Sequence, residues 1–170
     1  MLTLERQLNA LVVWIICGVL LSAYCVDFFW HEVPCPLCIL QRLGMVGAAC
    51  GLLLNVRFGI KMSHYGLTIL SSLVGGTVAL RQITLHVCPG MPTFGFPVLG
   101  LSLYTWSFVV FACTVLSVAG MLFLYDPAKD NKAPPTKDKL GALTFALLLI
   151  IATANVVTTY SHCGFGPCQD

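Results

Sequence analysis

Five stretches of this chain are long, apolar and almost without charge, a pattern that leaves few solutions for the fold. A helix needs about 20 apolar residues to cross the hydrocarbon core of a bilayer. Leu8 to Val26 meets that length and stops at Asp27, and Pro36 to Val56 meets it with Arg42 as its only charge. Tyr65 to Val87 is interrupted only by Arg81, Val98 to Tyr125 is uncharged, and so is Leu140 to Tyr160. Hydrophobic residues make up 58% of the chain, against 9% charged. A soluble domain of this size carries about a quarter charged residues, and a chain this short cannot hide so much apolar surface from water. Irregular backbone cannot face lipid, so the stretches are expected to be helices of an all-α, polytopic membrane bundle. No small-residue cleavage site precedes the first polar segment, and the first stretch is expected to remain as a span.

Charge orients the bundle. Arg6, Arg57, Lys61, Lys129, Lys132, Lys137 and Lys139 all fall on one side of the alternating spans, against only Arg42 and Arg81 toward the other. Basic residues concentrate on the cytoplasmic side. The expected topology has a cytoplasmic N-terminus, with 27–35, 88–97 and the tail 161–170 in the opposite compartment. The net charge of +2 is small and scattered, with no basic footprint for nucleic acid.

That topology sorts the cysteines. Cys17, Cys50 and Cys113 sit inside spans and Cys25 near the outer end of the first, where cysteine behaves as a small hydrophobe. Cys35, Cys38, Cys88, Cys163 and Cys168 all fall on the non-cytoplasmic side, where disulfides persist. Cys35-Pro36-Leu37-Cys38 opens the second span. Unpaired amide groups and the positive dipole end at a helix start stabilise a thiolate, and Pro36 suits the first turn. Arg42 follows Cys38 by four residues and shares its helix face. A cation inside an apolar span implies a partner, sought here in a Cys38 thiolate or in a polar ligand beside it. Gln82 and His86 share a face at the outer end of the third span, at the height of Arg42. Together, Arg42, Gln82 and His86 suit the carbonyl oxygens of a flat apolar ligand. A zinc site using the tail cysteines is the competing reading, disfavoured by the oxidising compartment and the C-x₄-C spacing; no metal is expected.

Pro34-Cys35-Pro36-Leu37-Cys38-Ile39-Leu40-Gln41-Arg42, opening a second span, resembles the disulfide bond formation protein B (DsbB) family. The resemblance covers about residues 8 to 125. It implies a bacterial inner-membrane enzyme that reoxidises a periplasmic thioredoxin-fold oxidase (DsbA-like) and passes electrons to a membrane quinone, ubiquinone or menaquinone. It further implies that Cys38 faces the quinone, that Cys35 exchanges disulfides with a second cysteine pair, and that Arg42, Gln82 and His86 bind the quinone. The expected organisation is a four-helix core over 1–125, a cytoplasmic linker over 126–139, and a fifth helix with a periplasmic cysteine tail over 140–170.

The family carries its second pair in the second periplasmic loop, where this chain has only Cys88; Cys163 and Cys168 arrive instead behind the fifth span. The glycines and proline between Cys163 and Cys168 suit a tight turn. Cys163–Cys168 is therefore the expected partner-facing pair, with Cys88 bonded to one of them as the alternative. Two other functions fit parts of the pattern: a vitamin K epoxide reductase-like quinone/thiol oxidoreductase, and a non-catalytic membrane thiol or metal carrier. The first fits less well, because the C-x-x-C here begins the second span rather than a late one.

Overall fold

The computed structural model describes residues 4–30, 35–86, 98–125, 139–164 and 166. They form five helices: α1 (Leu4–Trp30), α2 (Pro36–Phe58), α3 (Met62–His86), α4 (Leu103–Leu124) and α5 (Lys139–Cys163). All five are long and apolar enough to cross a membrane. Among the described residues no strand forms; Val98 and Leu101 make one isolated bridge.

Helix α2 is central to the bundle, packed against α1, α3 and α5, while α4 lies against α3 and α1. Small residues let α2 and α3 approach closely, as they do where helices associate without a hydrophobic driving force. Gly44, Gly47 and Gly51 of α2 face Gly75, Ser71 and Thr68 of α3, and Phe111 of α4 lies over Gly75. A Cβ at Gly51 would stand 2.3 Å from Thr68 Oγ1 and 2.7 Å from the His64 carbonyl oxygen. The carbonyl belongs to a helix backbone and cannot swing aside. Gly51→Ala is therefore expected to destabilise the protein by about 1–3 kcal/mol through overpacking. Gly120→Ala, with nothing within 4 Å of its Cβ position, should be near neutral. Thermal unfolding of both variants in the same detergent checks the contrast.

Polar side chains close the end of the bundle opposite Cys35. Arg6 Nε donates to the Val56 carbonyl at 2.8 Å, satisfying an orphan acceptor in the last turn of α2. Fully buried Asn9 and Asn55 bond each other at 3.2 Å, and Asn9 donates to Tyr65 Oη at 2.9 Å. Each buried amide thus has the partner that apolar surroundings demand.

The ends of two helices differ from the sequence expectation. α1 continues a turn past Asp27 to Trp30, because that carboxylate is paired inside the bundle. α4 starts at Leu103, five residues after Val98. Before it lies a two-residue turn with Leu99 at φ 52° and Gly100 at φ 79°, the left-handed pair of a primed turn. Trp106 Nε1 holds that turn by donating to the Val98 carbonyl at 2.9 Å.

Helix α5 lies in the groove between α1 and α2. Its buried residues Gly141, Thr144, Leu148, Ile151 and Asn155 recur at spacings of three and four, so they form one face. Thr144 Oγ1 on that face accepts from Trp14 Nε1 at 3.0 Å.

A dithiol held by a glutamine beside a buried ion pair

Cys35 is the N-cap of α2, with extended backbone (φ −66°, ψ 156°) and Pro36 in the first turn behind it. Its Sγ accepts from the Cys38 amide at 3.2 Å, the bond an N-cap serine oxygen would make. The helix start therefore fixes one sulfur against an orphan N–H and sets the other one turn along. Burial and, before it, the hydrogen bond shared with the Cys38 side chain hold the Cys35 thiol above the ordinary thiol range.

Gln82 reaches both sulfurs from α3. Its Nε2 lies 3.3 Å from Cys35 Sγ and 3.5 Å from Cys38 Sγ, and its side chain is almost wholly buried. Its Oε1 accepts from Gln41 Nε2 at 2.5 Å, which turns the amide so that its donors face sulfur. Gln41, itself buried, is a site residue that sequence reasoning missed. The available signal was an uncharged polar residue beside Arg42 in an otherwise apolar span.

Arg42 lies one turn beyond Cys38, and its expected counterpart at the thiols is replaced by another. Nη1 and Nη2 both donate to the Asp27 carboxylate of α1, the second at 2.9 Å. The guanidinium carbon also sits 5.1 Å from the centroid of the Tyr24 ring, within cation–π range. Reading Asp27 as the end of the first span concealed this partner; the added turn of α1 carries the carboxylate alongside α2. A bidentate pair satisfies both charges without a thiolate, and it uses only two of the five guanidinium N–H groups.

His86 stands one turn beyond Gln82 but is directed elsewhere. Its Nδ1 lies 2.8 Å from the Gln82 backbone carbonyl. A carbonyl only accepts, so Nδ1 carries the proton and, in the neutral ring, Nε2 is the unprotonated nitrogen. The ring stacks against Tyr104 at 5.3 Å between centroids. The structure thus brings Cys35, Cys38, Gln82 and Arg42 together and sets His86 at their border. Cys88 and Cys168 lie outside the described residues, as does the side chain of Cys163.

The family described as disulfide bond formation protein DsbB matches residues 5–94, more than half the chain and all of the dithiol site just described. The chain belongs to the DsbB family. Among curated relatives, disulfide bond formation protein B 1 of Burkholderia lata is 26% identical, over 70% of this chain and 89% of the relative. Disulfide bond formation protein B of Burkholderia ambifaria gives the same figures, 26%, 70% and 89%. Its namesake in an Azoarcus species is 29% identical over 53% of this chain and 75% of the relative. No solved structure matches. DsbB membership implies disulfide formation by a membrane thiol oxidase. The family match ends at residue 94, before α4 and α5.

Proposed function

We propose that this protein reoxidises a periplasmic thioredoxin-fold (DsbA-like) dithiol oxidase and passes the two electrons to a quinone of the bacterial inner membrane. The N-terminus is cytoplasmic and the C-terminal tail periplasmic, the orientation favoured by the lysine and arginine asymmetry. The observation that carries the reading is the Cys35–Cys38 dithiol, bonded by Gln82 and set one turn from a buried, anchored guanidinium.

A partner thiolate attacks an external disulfide formed among Cys88, Cys163 and Cys168, with Cys163–Cys168 the favoured pairing. The partner's second thiol resolves the mixed disulfide, leaving the partner oxidised and the external pair reduced. That pair then reduces the Cys35–Cys38 disulfide in the same manner. Cys35, half-buried at the very start of the helix and nearer the outer face than Cys38, is the sulfur that exchanges. Gln82 Nε2 donates to whichever sulfur carries charge, and Arg42 places a fixed positive charge one turn below Cys38.

A bound quinone supplies the two-electron, two-proton acceptor that closes the cycle. The residues present fit one: Arg42 keeps donor capacity beyond its bonds to Asp27. Arg42 would hold a carbonyl oxygen of such a ring through its remaining N–H groups. Gln82, whose donors face sulfur, and His86, whose neutral ring offers an acceptor at Nε2, would line the pocket beside it.

The test uses the intact protein in lipid vesicles with a reduced thioredoxin-fold dithiol and short-chain ubiquinone or menaquinone. One quinol should form for each partner disulfide. Absence of quinol, with partner oxidation still proceeding, would refute the acceptor. Truncation after Tyr160 is expected to stop partner oxidation while the dithiothreitol-reduced Cys35–Cys38 pair still reduces quinone. A truncated protein that oxidises its partner at the normal rate would remove the tail and leave Cys88 as the external relay.

A further inference from the structure

We infer that α5 positions the redox site, acting through Asn155 and Tyr24 on the Arg42 guanidinium. The inference rests on the proposed quinone chemistry and adds a role for the helix that lies beyond the family match. Asn155 is 94% buried, being only 6% exposed, on the face of α5 that packs into the α1/α2 groove. An amide buried within an apolar span is costly without a partner. Its Oδ1 accepts from the Tyr24 hydroxyl at 3.2 Å. The other side of the connection is the Tyr24 ring itself, whose centroid lies 5.1 Å from the Arg42 guanidinium carbon. Arg42 is then fixed from two directions, by the Asp27 carboxylate and by the Tyr24 ring.

Each contact constrains the next. The Asp27 pair sets the plane of the guanidinium but leaves the side chain's four torsions to be held by packing. The Tyr24 ring supplies that packing on an aromatic face, which attracts the cation electrostatically. A tyrosine ring on α1 still pivots about its own side-chain torsions. Its hydroxyl, tied to Asn155, removes that freedom and links the ring to a second helix. Neither Asn155 nor Tyr24 touches sulfur in this arrangement; both are positioning residues.

Two features favour a positioning role over plain helix packing. The polar contact at Trp14 and Thr144 lies near the opposite end of α5 and docks the helix without approaching the dithiol. Leu148 and Ile151, both nearly fully buried, supply the apolar part of the interface. Asn155 bonds a residue, Tyr24, that itself contacts Arg42.

The experiment compares Asn155→Leu, Tyr24→Phe and their combination with the unchanged protein in lipid vesicles, using short-chain ubiquinone and a reduced thioredoxin-fold dithiol. Tyr24→Phe keeps the ring and removes only the hydroxyl. Each single variant should raise the quinone KM on the order of threefold to tenfold, the scale of loosening one desolvated cation–π contact. Single-turnover oxidation of the partner dithiol should be unchanged, and the double variant should equal either single one. Val156→Ala, on the lipid-facing side next to Asn155, serves as the control and should behave as the unchanged protein.

A second readout needs no quinone. A less firmly held cation stabilises the reduced Cys35–Cys38 pair less, so its equilibrium with a glutathione buffer should shift about threefold toward the disulfide in both single variants. Unchanged KM and unchanged thiol–disulfide equilibrium in Asn155→Leu would overturn the inference. So would additive effects of the two substitutions, or an equal loss of both half-reactions with a lowered unfolding temperature, which would make Asn155 a packing residue. If the unchanged protein forms no quinol, the acceptor assignment fails, while the glutathione equilibrium still decides the positioning role.

Discussion

Cys38→Ser and Cys35→Ser are each expected to leave the protein inserted and folded while quinone-coupled disulfide formation falls on the order of a thousandfold or more. Serine keeps nearly the volume of cysteine, and at position 35 it is a favoured N-cap, so α2 should start normally. The chemistry has no such substitute, since a hydroxyl cannot enter thiol–disulfide exchange. Cys17 and Cys50 pack within the bundle, and Cys25 and Cys113 are exposed along their helices. The hydrogen bonds of Gln82 go to Cys35 and Cys38, so none of the other cysteines inherits its amide. The two serine variants should differ in one respect. Cys38→Ser keeps Cys35 at the exchanging position, and its thiolate should attack the oxidised external disulfide, accumulating a mixed disulfide with one external cysteine while the other is released as a thiol. Cys35→Ser should accumulate none. Quinol absorbance measures the common loss, and non-reducing electrophoresis with peptide mapping separates the two. Retained quinone reduction in either variant would remove the C-x-x-C from the mechanism.

The parts of this molecule legible in its sequence are those set by local chemistry. Apolar length fixed the number of spans, and Cys35-Pro36 marked the start of α2 because N-cap and first-turn preferences act within one turn. The close placement of Cys38 and Arg42 followed from four-residue spacing on one helix. What stayed hidden depends on contacts between helices. Asp27 looked like the polar end of a span, because a carboxylate in lipid is unfavourable until its cation is known. That cation lies 15 residues away, on the next helix. Gln41 resembled incidental polarity until Gln82 arrived from α3 at 2.5 Å. The same holds for Tyr24 and Asn155, separated by 131 residues. His86 was legible in its face, which follows from spacing, but not in the bond its Nδ1 makes within its own helix to the Gln82 carbonyl.

Asp27→Ala should be among the most damaging single substitutions in the chain, and its effect divides into two measurable parts. The Arg42 and Asp27 side chains are only 11% and 18% exposed, so the small values typical of surface pairs do not apply. Removing the carboxylate leaves a guanidinium buried in an apolar span, with the Tyr24 ring as the neighbour the structure gives it beyond α2. Breaking a buried pair in this way costs about 3–5 kcal/mol, far more than a cation–π contact of roughly 0.5–2 kcal/mol can offset. The unfolding temperature in detergent should therefore drop sharply, and quinone reduction should fall with it. Asp27→Leu combined with Arg42→Met separates the causes. With both charges gone, nothing charged is desolvated, and apolar replacements of similar volume often match or exceed the original pair in stability. The double variant should unfold near the temperature of the unchanged protein yet still fail to reduce quinone, because the fixed cation below Cys38 is absent. Recovery of stability without recovery of quinol formation would assign the ion pair to function, its stability cost being confined to the single variant. Recovery of both would instead make Arg42 and Asp27 a dispensable structural pair.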